Sequence, residues 1–372
     1  MKQIHNKHSE FSEFEKSLMK QLLHIANIHI RKPYPNPKVA AAIYKDETVI
    51  SIGVHQKKGC DHAEVLAIKQ AEEPIKGASI MVTLEPCTHK GSTPACVDAI
   101  IKSGIKKVIF ACFDPFSAVQ QNPAKEILKQ HNIDVKTGLL EKEALNLNHD
   151  YFYAHTYKKP WVHLKAAMSL DGKIALHNNK SKYITGKESL QRVHELRSKV
   201  AAIIIGANTL KEDDPSLTIR FDYLLKDNVT PVLIVIGSTI NPKTHYKIFE
   251  SGYKTILVTS TNLLTTENTF FSEVWFQPLL NQEFDWGLFM KKCYEENLFS
   301  VMLEGGSHIF SSALQHKIVN QYSFFIAPKL VGDNSALPVV NFGNIDNLED
   351  VMNLDNMSVE KLGRDILVTG YC

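Results

Sequence analysis

The sequence predicts two α/β domains in series, and three observations carry that expectation. The chain has 372 residues, about twice a typical domain of roughly 100–200 residues. Strand-like and helix-like stretches alternate along it twice over, the pattern of layered α/β architecture. Between the two series lies Lys158-Lys159-Pro160, a charged pair and a proline ahead of a fresh strand, which sets the domains at residues 1–157 and 158–372. No internal repeat and no low-complexity run interrupts either series.

The elements follow in order. Residues 11–28 carry Phe14, Leu18, Leu22, Ile25 and Ile28 at helical spacing. Val39 to Tyr44 and Thr48 to Val54 form a strand pair around the polar turn Lys45-Asp46-Glu47. A helix is expected over His62 to Glu72, a strand over Ser79 to Leu84, a helix over Pro94 to Lys102 and a strand over Lys107 to Cys112. A helix near 123–131, a strand at Ile133 to Val135 and a helix from about Lys142 complete a three-layer α/β first domain. In the second, Trp161 to Ala167, 200–206, 231–237, 254–259 and 300–303 read as buried strands, and 320–326, 357–362 and 366–371 as further strands. Helices are expected near 187–198 and 284–297. No GxGxxG and no GxxxxGK[ST] occurs, so a Rossmann fingerprint and a P-loop are unsupported.

Composition narrows the function. With 44% hydrophobic and 22% charged residues the chain is an ordinary globular one. A net charge of +2 gives no basic excess for nucleic acid. Apolar runs such as Val200 to Ile205 are strand-length, far short of the ~18–20 residues of a membrane span. The N-terminus has no apolar signal-peptide core. Six cysteines, at 60, 87, 96, 112, 293 and 372, are too dilute for a disulfide framework. The expectation is a cytoplasmic protein without a nucleic-acid or membrane partner.

The chemistry concentrates in His62-Ala63-Glu64, Pro86-Cys87 and Cys96. One imidazole and two thiolates give zinc three ligands and leave a fourth position open, as catalytic zinc requires. There a water's pKa falls towards ~7. Glu64, two residues from His62, is close enough to move protons without being a ligand. Cys96 is expected in the first turn of a helix capped by Thr93 and opened by Pro94, where the helix terminus favours a thiolate. Cys60, Cys112, Cys293 and Cys372 read as ordinary residues, although Cys60 is a nominal fourth ligand that would make the zinc structural.

These strings resemble the zinc-dependent nucleobase deaminases, and the long loop Cys87 to Cys96 resembles the pyrimidine deaminases of riboflavin biosynthesis in particular. Pro35-Asn36-Pro37, Gly59 and Asp114-Pro115 match as well. In the second domain, Lys165 to Lys173, Ile184-Thr185, Glu195-Leu196-Arg197, Asp213 to Arg220, Glu304-Gly305-Gly306 and Ala327 to Gly332 resemble the reductase of the same pathway. The chain is thereby similar, over about residues 14–371, to the bifunctional deaminase–reductases. The resemblance implies a cytidine-deaminase-like first domain and a dihydrofolate-reductase-like second one. It implies zinc and NADPH as cofactors and a phosphorylated pyrimidine riboside as substrate. Its deamination would be followed by reduction of the ribosyl chain to ribityl. A homo-oligomer is expected.

The implied residues are these. Glu64 is catalytic, and His62, Cys87 and Cys96 hold the metal. Substrate contacts fall on Asn36, His89, Arg197, Leu217, Arg220 and Glu304. Cofactor contacts fall on Lys165, Ser181, Tyr183 and Thr209, and on Asp213, Gly305, Gly306 and Ser307. Physical readings stand beside several. Asn36 is pinned between prolines, which suits a fixed hydrogen-bonding role; His89 contacts substrate or only its own loop. Arg197 and Arg220 suit a 5′-phosphate, guanidinium matching phosphate in two-pronged fashion. Glu304-Gly305-Gly306-Ser307 lets backbone N–H groups approach a pyrophosphate at a helix N-terminus, or is simply a tight turn. Asp213-Asp214-Pro215 binds hydroxyls or is likewise a turn. Lys165 and Asp171 face the cleft if Trp161 to Ala167 is a central strand. Relative to the resembling proteins, Ala40, Ser92, Ala95, Phe116 and Tyr183 stand where glycine, arginine, proline, asparagine and tryptophan are usual. Two rival readings are a nucleoside or tRNA-editing deaminase with an unrelated appendage, and a non-catalytic assembly protein.

Overall fold

The computed structural model describes residues 11–28, 32–89, 94–178, 184–225, 229–241, 243–260 and 269–371. It divides after Tyr157 into two compact units.

In the first unit, helix α1 (Glu13–Ile28) opens with a reciprocal cap. The Glu15 N–H donates to Ser12 Oγ at 3.1 Å and the Ser12 N–H to Glu15 Oε2 at 3.0 Å. Its buried stripe is Leu18, Met19, Leu22 and Ala26; Ile28, expected on that stripe, is 61% exposed. Buried Glu15 also ties the helix to strands β1 (Ala40–Lys45) and β4 (Lys107–Phe110). Its Oε1 lies 2.6 Å from Lys107 Nζ and accepts from the Tyr44 hydroxyl at 3.2 Å.

Strand β1 forms a hairpin with β2 (Thr48–Val54), Lys45 facing Thr48. The two turn residues, Asp46 and Glu47, both have positive φ, the tight turn whose twist matches the strands it joins. With β3 (Ser79–Val82) and β5 (Asp134–Thr137) the sheet runs β2-β1-β3-β4-β5. Strand β1 is antiparallel to both neighbours, and β3, β4 and β5 are parallel. Residues Ala40 to Tyr44 and Ile80 to Val82 are buried without alternation, because helices cover both faces. These are α2 (Ala63–Gln70), α3 (Cys96–Ser103), α4 (Ser117–Gln120), α5 (Ala124–Gln130), α6 (Glu141–Leu147) and α7 (His149–Tyr157), with α1.

Two expectations need correction here. Helix α3 starts at Cys96 with Ala95 as its cap, so Pro94 lies outside it, and Thr93 falls outside the described residues. The single helix expected from Lys142 is broken between α6 and α7 at Asn148. That side chain bonds the Lys38 backbone in both senses, accepting at 2.8 Å and donating at 3.0 Å.

The second unit is built on a nine-stranded sheet. In chain order its elements are β6 (Trp161–Ser169), β7 (Lys173–Ala175), α8 (Lys187–Arg197), β8 (Ala202–Gly206), α9 (Ala207–Asp213), α10 (Asp222–Leu225), β9 (Val232–Ile236), β10 (Thr255–Thr259) and β11 (Glu273–Phe276). Then come β12 (Leu279–Leu280), β13 (Glu283–Phe284), α11 (Trp286–Glu295), β14 (Ser300–Gly305), α12 (Ser307–Gln315), β15 (Gln321–Ala327), β16 (Leu337–Pro338), β17 (Asp355–Leu362) and β18 (Asp365–Tyr371). The sheet order is β11-β10-β9-β8-β14-β6-β15-β18-β17, and the pairs β7–β16 and β12–β13 stand apart. From β11 to β15 all neighbours are parallel; β18 and β17 add an antiparallel edge. Strand β6 is thus interior, as the cleft argument required. Helix α9 and strand β11 were not expected. Asp213 closes α9, and Asp214, at φ 40°, caps it, so the Asp-Asp-Pro string is a helix end. Among the described residues no helix is long and apolar enough to cross a membrane.

Candidate active sites: a metal centre and a cofactor cavity

The first site is assembled where α2 and α3 begin. Gly53 on β2 lets α2 sit against the sheet: a Cβ there would come within 2.1 Å of the Ala63 carbonyl oxygen and 2.4 Å of the Ala67 nitrogen. This close approach fixes His62, the residue preceding α2, and Glu64 in its first turn. Cys87 follows β3 on its loop, and Cys96 opens α3 and donates its N–H to Cys87 Sγ at 3.3 Å. His62 Nδ1 lies 3.4 Å from Cys87 Sγ and 3.3 Å from Cys96 Sγ. The three ligand atoms all lie within 4.8 Å of one another, and exposed Cys60 is not among them. Zinc–sulfur and zinc–nitrogen distances of about 2.3 and 2.0 Å imply tetrahedral edges of about 3.6 Å, so the triangle fits zinc with one position open.

Electrostatics support the fit. Hydrogen bonding from the Cys96 thiol, with help from His62, holds the Cys87 thiol well below its ordinary range. Cys96 is driven the other way, by Cys87, burial and Glu64. The expectation that both cysteines are thiolates therefore holds only with a cation between them. Burial, and then Cys87, pushes the Glu64 carboxyl up to about 7, the range of a group that both takes and gives protons.

Around this centre, Asn36 Nδ2 lies 3.0 Å from His55 Nε2, and His55 Nδ1 lies 3.1 Å from the Asp61 carbonyl oxygen. Because that carbonyl only accepts, Nδ1 carries the proton and Nε2 accepts from Asn36. The Asn36 amide thus turns its nitrogen to His55 and keeps its oxygen available. Sequence reasoning missed His55; its nearness in sequence to His62 was the available signal. The His89 ring lies 5.2 Å from that of Phe116, and His89 Nδ1 and Thr88 Oγ1 are buried without hydrogen-bond partners. Asp114 accepts from Tyr151 OH at 3.0 Å and from the Phe116 N–H at 2.9 Å, fixing that wall. Ser92 falls outside the described residues.

The second site is a cavity of about 770 Å³ at the carboxyl ends of β6, β8, β9 and β14. This is where ligands of parallel α/β sheets bind, and its size falls within the roughly 300–1,000 Å³ of ligand pockets. Of the expected cofactor contacts, Lys165, Thr209, Asp213, Gly305, Gly306 and Ser307 all line it. Ser181 and Tyr183 lie outside the described residues. A Cβ on Gly305 or Gly306 would lie 3.0 Å from the Thr209 side chain, so this turn is closely packed against α9. Gly206, Gly237 and Gly305-Gly306 bring backbone to the cavity wall from three strand ends, and α12 points its N-terminus there, a cradle suited to NADPH phosphates. Gly237 and Ser238 were not anticipated; a glycine just after a buried strand was the signal.

Asp171, expected to face the cleft, does not line it. Its carboxylate accepts from Ser169 Oγ at 2.6 Å and from the Val331 and Gly332 N–H groups at 3.1 and 2.8 Å, which fixes a turn. Glu304 lines the cavity with its carboxylate between Arg197 and Lys165. Arg197 Nε and Nη2 donate to it at 2.7 and 2.9 Å, and Lys165 Nζ is 3.6 Å away. Burial pushes this carboxyl up, but the two cations outweigh it and hold it down at about 2. Arg197 Nη1 donates to the Thr218 carbonyl at 2.9 Å. Arg220 is exposed, with one guanidinium N–H on Ser216 Oγ at 3.2 Å. The Leu217 side chain is packed in the apolar core, at φ 52°.

Comparison with known proteins assigns a family to each unit. A family model described as the cytidine and deoxycytidylate deaminase zinc-binding region matches residues 12–112, and one described as the RibD C-terminal domain matches 160–368. The riboflavin biosynthesis protein RibD of Aquifex aeolicus is 37% identical over 96% of this chain and 98% of its own length. That of Actinobacillus pleuropneumoniae is 35% identical over 90% and 89%. A crystal structure of a Thermotoga maritima diaminohydroxyphosphoribosylaminopyrimidine deaminase/5-amino-6-(5-phosphoribosylamino)uracil reductase superposes with a TM-score of 0.83 at 32% identity, covering 96% of this chain and 99% of that one. Acinetobacter baumannii RibD gives 0.86 at 30%, covering 96% and 98%. This chain belongs to the RibD family, the bifunctional deaminase–reductases of riboflavin biosynthesis.

Proposed function

We propose that the two units carry out successive steps on one phosphorylated pyrimidine riboside: residues 1–157 deaminate 2,5-diamino-6-ribosylamino-4(3H)-pyrimidinone 5′-phosphate, and residues 158–372 reduce the product to 5-amino-6-(5-phosphoribitylamino)uracil. The observation that carries the first step is the His62, Cys87, Cys96 triangle with buried Glu64 beside it. When bound, zinc supplies an activated water, and NADPH supplies a hydride for the ribosyl carbon. Glu64 takes a proton from the attacking water and returns one to the departing ammonia. Asn36 Oδ1, His89 and Thr88 orient the substrate, their polar atoms being fixed in place or unpartnered.

In the second unit, Lys165, Thr209, Asp213 and the Gly305-Gly306-Ser307 turn hold the cofactor, and Glu304 meets the ribosyl hydroxyls. Arg220 takes the 5′-phosphate, with Arg197 beside it. The requirement for reduced thiols at Cys87 and Cys96 supports a cytoplasmic setting. The exposed edge strand β17, with Met357 and Val359 each 64% exposed, supports a homo-oligomer. The test is product analysis of the purified chain supplied with the diaminopyrimidine riboside phosphate. Without NADPH the deaminated ribosyl compound should accumulate, and with NADPH the ribityl compound should form. Reduction without prior deamination would overturn this order.

A further inference from the structure

The segment from Asp214 to Arg220 connects α9 to α10, and it is held more firmly than its position suggests. Asp214 and Leu217 adopt positive φ without being glycine. Leu217 and Ile219 are each 4% exposed. The backbone between them is caught from outside: the Ile219 N–H donates to Tyr253 OH at 3.3 Å, and the Thr218 carbonyl accepts from Arg197 Nη1 at 2.9 Å. The last catch is on Arg220 itself, whose N–H donates to His194 Nδ1 at 3.3 Å.

His194 lies one helical turn before Arg197 on α8, is buried at 8% exposure, and has its ring edge-on to Phe221 at 5.3 Å. An imidazole nitrogen accepts a hydrogen bond only when it carries no proton. Burial, and then the charges of Arg197 and Arg220, hold this ring's pKa down at about 4, so the acceptor persists at neutral pH. Arg197 and His194 therefore grip two groups of one segment, the Thr218 carbonyl and the Arg220 N–H, from one helix. The same Arg197 binds Glu304 at the cavity, so the segment and the cavity share a support.

We propose that His194 is a positioning residue of the reductase: by accepting the Arg220 N–H it sets the direction in which the Arg220 guanidinium meets the substrate's 5′-phosphate. The inference rests on Arg220 being the phosphate contact. It makes the imidazole a part of phosphate recognition without touching substrate or cofactor.

The experiment compares His194→Leu, His194→Asn and Arg220→Ala in the full-length chain. KM and kcat are measured for the deaminated ribosyl substrate with and without its 5′-phosphate, and NADPH affinity by fluorescence titration. Asparagine places an acceptor oxygen near the Nδ1 position; leucine has none. His194→Leu should raise KM for the phosphorylated substrate roughly 2- to 12-fold, the worth of one hydrogen bond. It should change kcat, NADPH affinity and the dephosphorylated substrate's KM less than about twofold, and His194→Asn should recover most of the loss. An equal KM rise for both substrates, a fall in kcat or NADPH affinity instead, or no recovery with asparagine would overturn the role of His194 while leaving Arg220 in place. Arg220→Ala losses that ignore the phosphate would remove the reading of Arg220 and this inference with it. If His194→Leu does not fold, His194→Asn against His194→Ser reads the same acceptor, because serine is too short to reach Arg220. Equal phosphate discrimination in those two would overturn the proposal.

Discussion

Glu304 accepts from Arg197 and faces Lys165 where side-chain exposures are 3%, 13% and 12%. Removing one partner of a buried ionic group costs about 3–5 kcal/mol, because the charges left behind stay unpaired. Glu304→Gln should therefore lower stability by about that amount at pH 7. The folded carboxyl is held at about 2, below its ordinary 4.5. Its contribution is thus present in full above 4.5 and is lost as pH falls from 4.5 towards 2. Denaturant unfolding of parent and variant at several pH values checks this, and the gap between them should close across that window. A gap of constant size would mean that the charge is not what stabilises. At this scale the His62, Cys87 and Cys96 cluster was legible, since ligand chemistry is written in residue types and short spacings. The Arg197–Glu304 pair was not. Both residues read as substrate contacts, but the helix α8 and the strand β14 that bring them together place them 107 residues apart in the chain, and no local pattern encodes that.

Among elements, the buried strands were read most securely, because a strand covered on both faces is a continuous apolar run, as in Ala202 to Ile205. Helix α9 was missed because Ala-Asn-Thr-Leu-Lys-Glu-Asp has only Ala207 and Leu210 buried, too few for a period. Strand β11 was missed because Glu273, Val274 and Trp275 are only half-buried. The start of α3 was misplaced because Pro94 fits a first helical position as well as it fits the preceding loop. The element that matters most to the metal centre is α2, and its seat is Gly53. A Cβ there meets backbone atoms that cannot swing aside. Gly53→Ala should cost about 1–3 kcal/mol or more by overpacking and should displace His62. Zinc affinity, measured by competition with a chelator, should fall about tenfold or more for each 1.4 kcal/mol transmitted to the ligands. Unchanged zinc affinity would show that α2 is not what positions His62.

For the molecule as a whole, the change of unit falls at the charged pair and proline that the sequence offered as a boundary, between Tyr157 and Lys158. The metal ligands and Glu64 lie before it, and the cavity-lining residues after it. The absent Rossmann fingerprint finds its counterpart in a sheet whose cavity-lining glycines come from separate strand ends, so no single motif could have announced them. Two chemistries in one chain should then be separable by a single substitution. The most direct measurement is made on Glu64→Gln, which keeps the shape of the side chain and removes its proton transfer. Zinc content should stay at the parent level and deamination should fall by at least about 10²-fold. NADPH oxidation should proceed at the parent rate when the deaminated intermediate is supplied directly. Loss of reduction together with deamination from this one change, or deamination at the parent rate, would contradict the account.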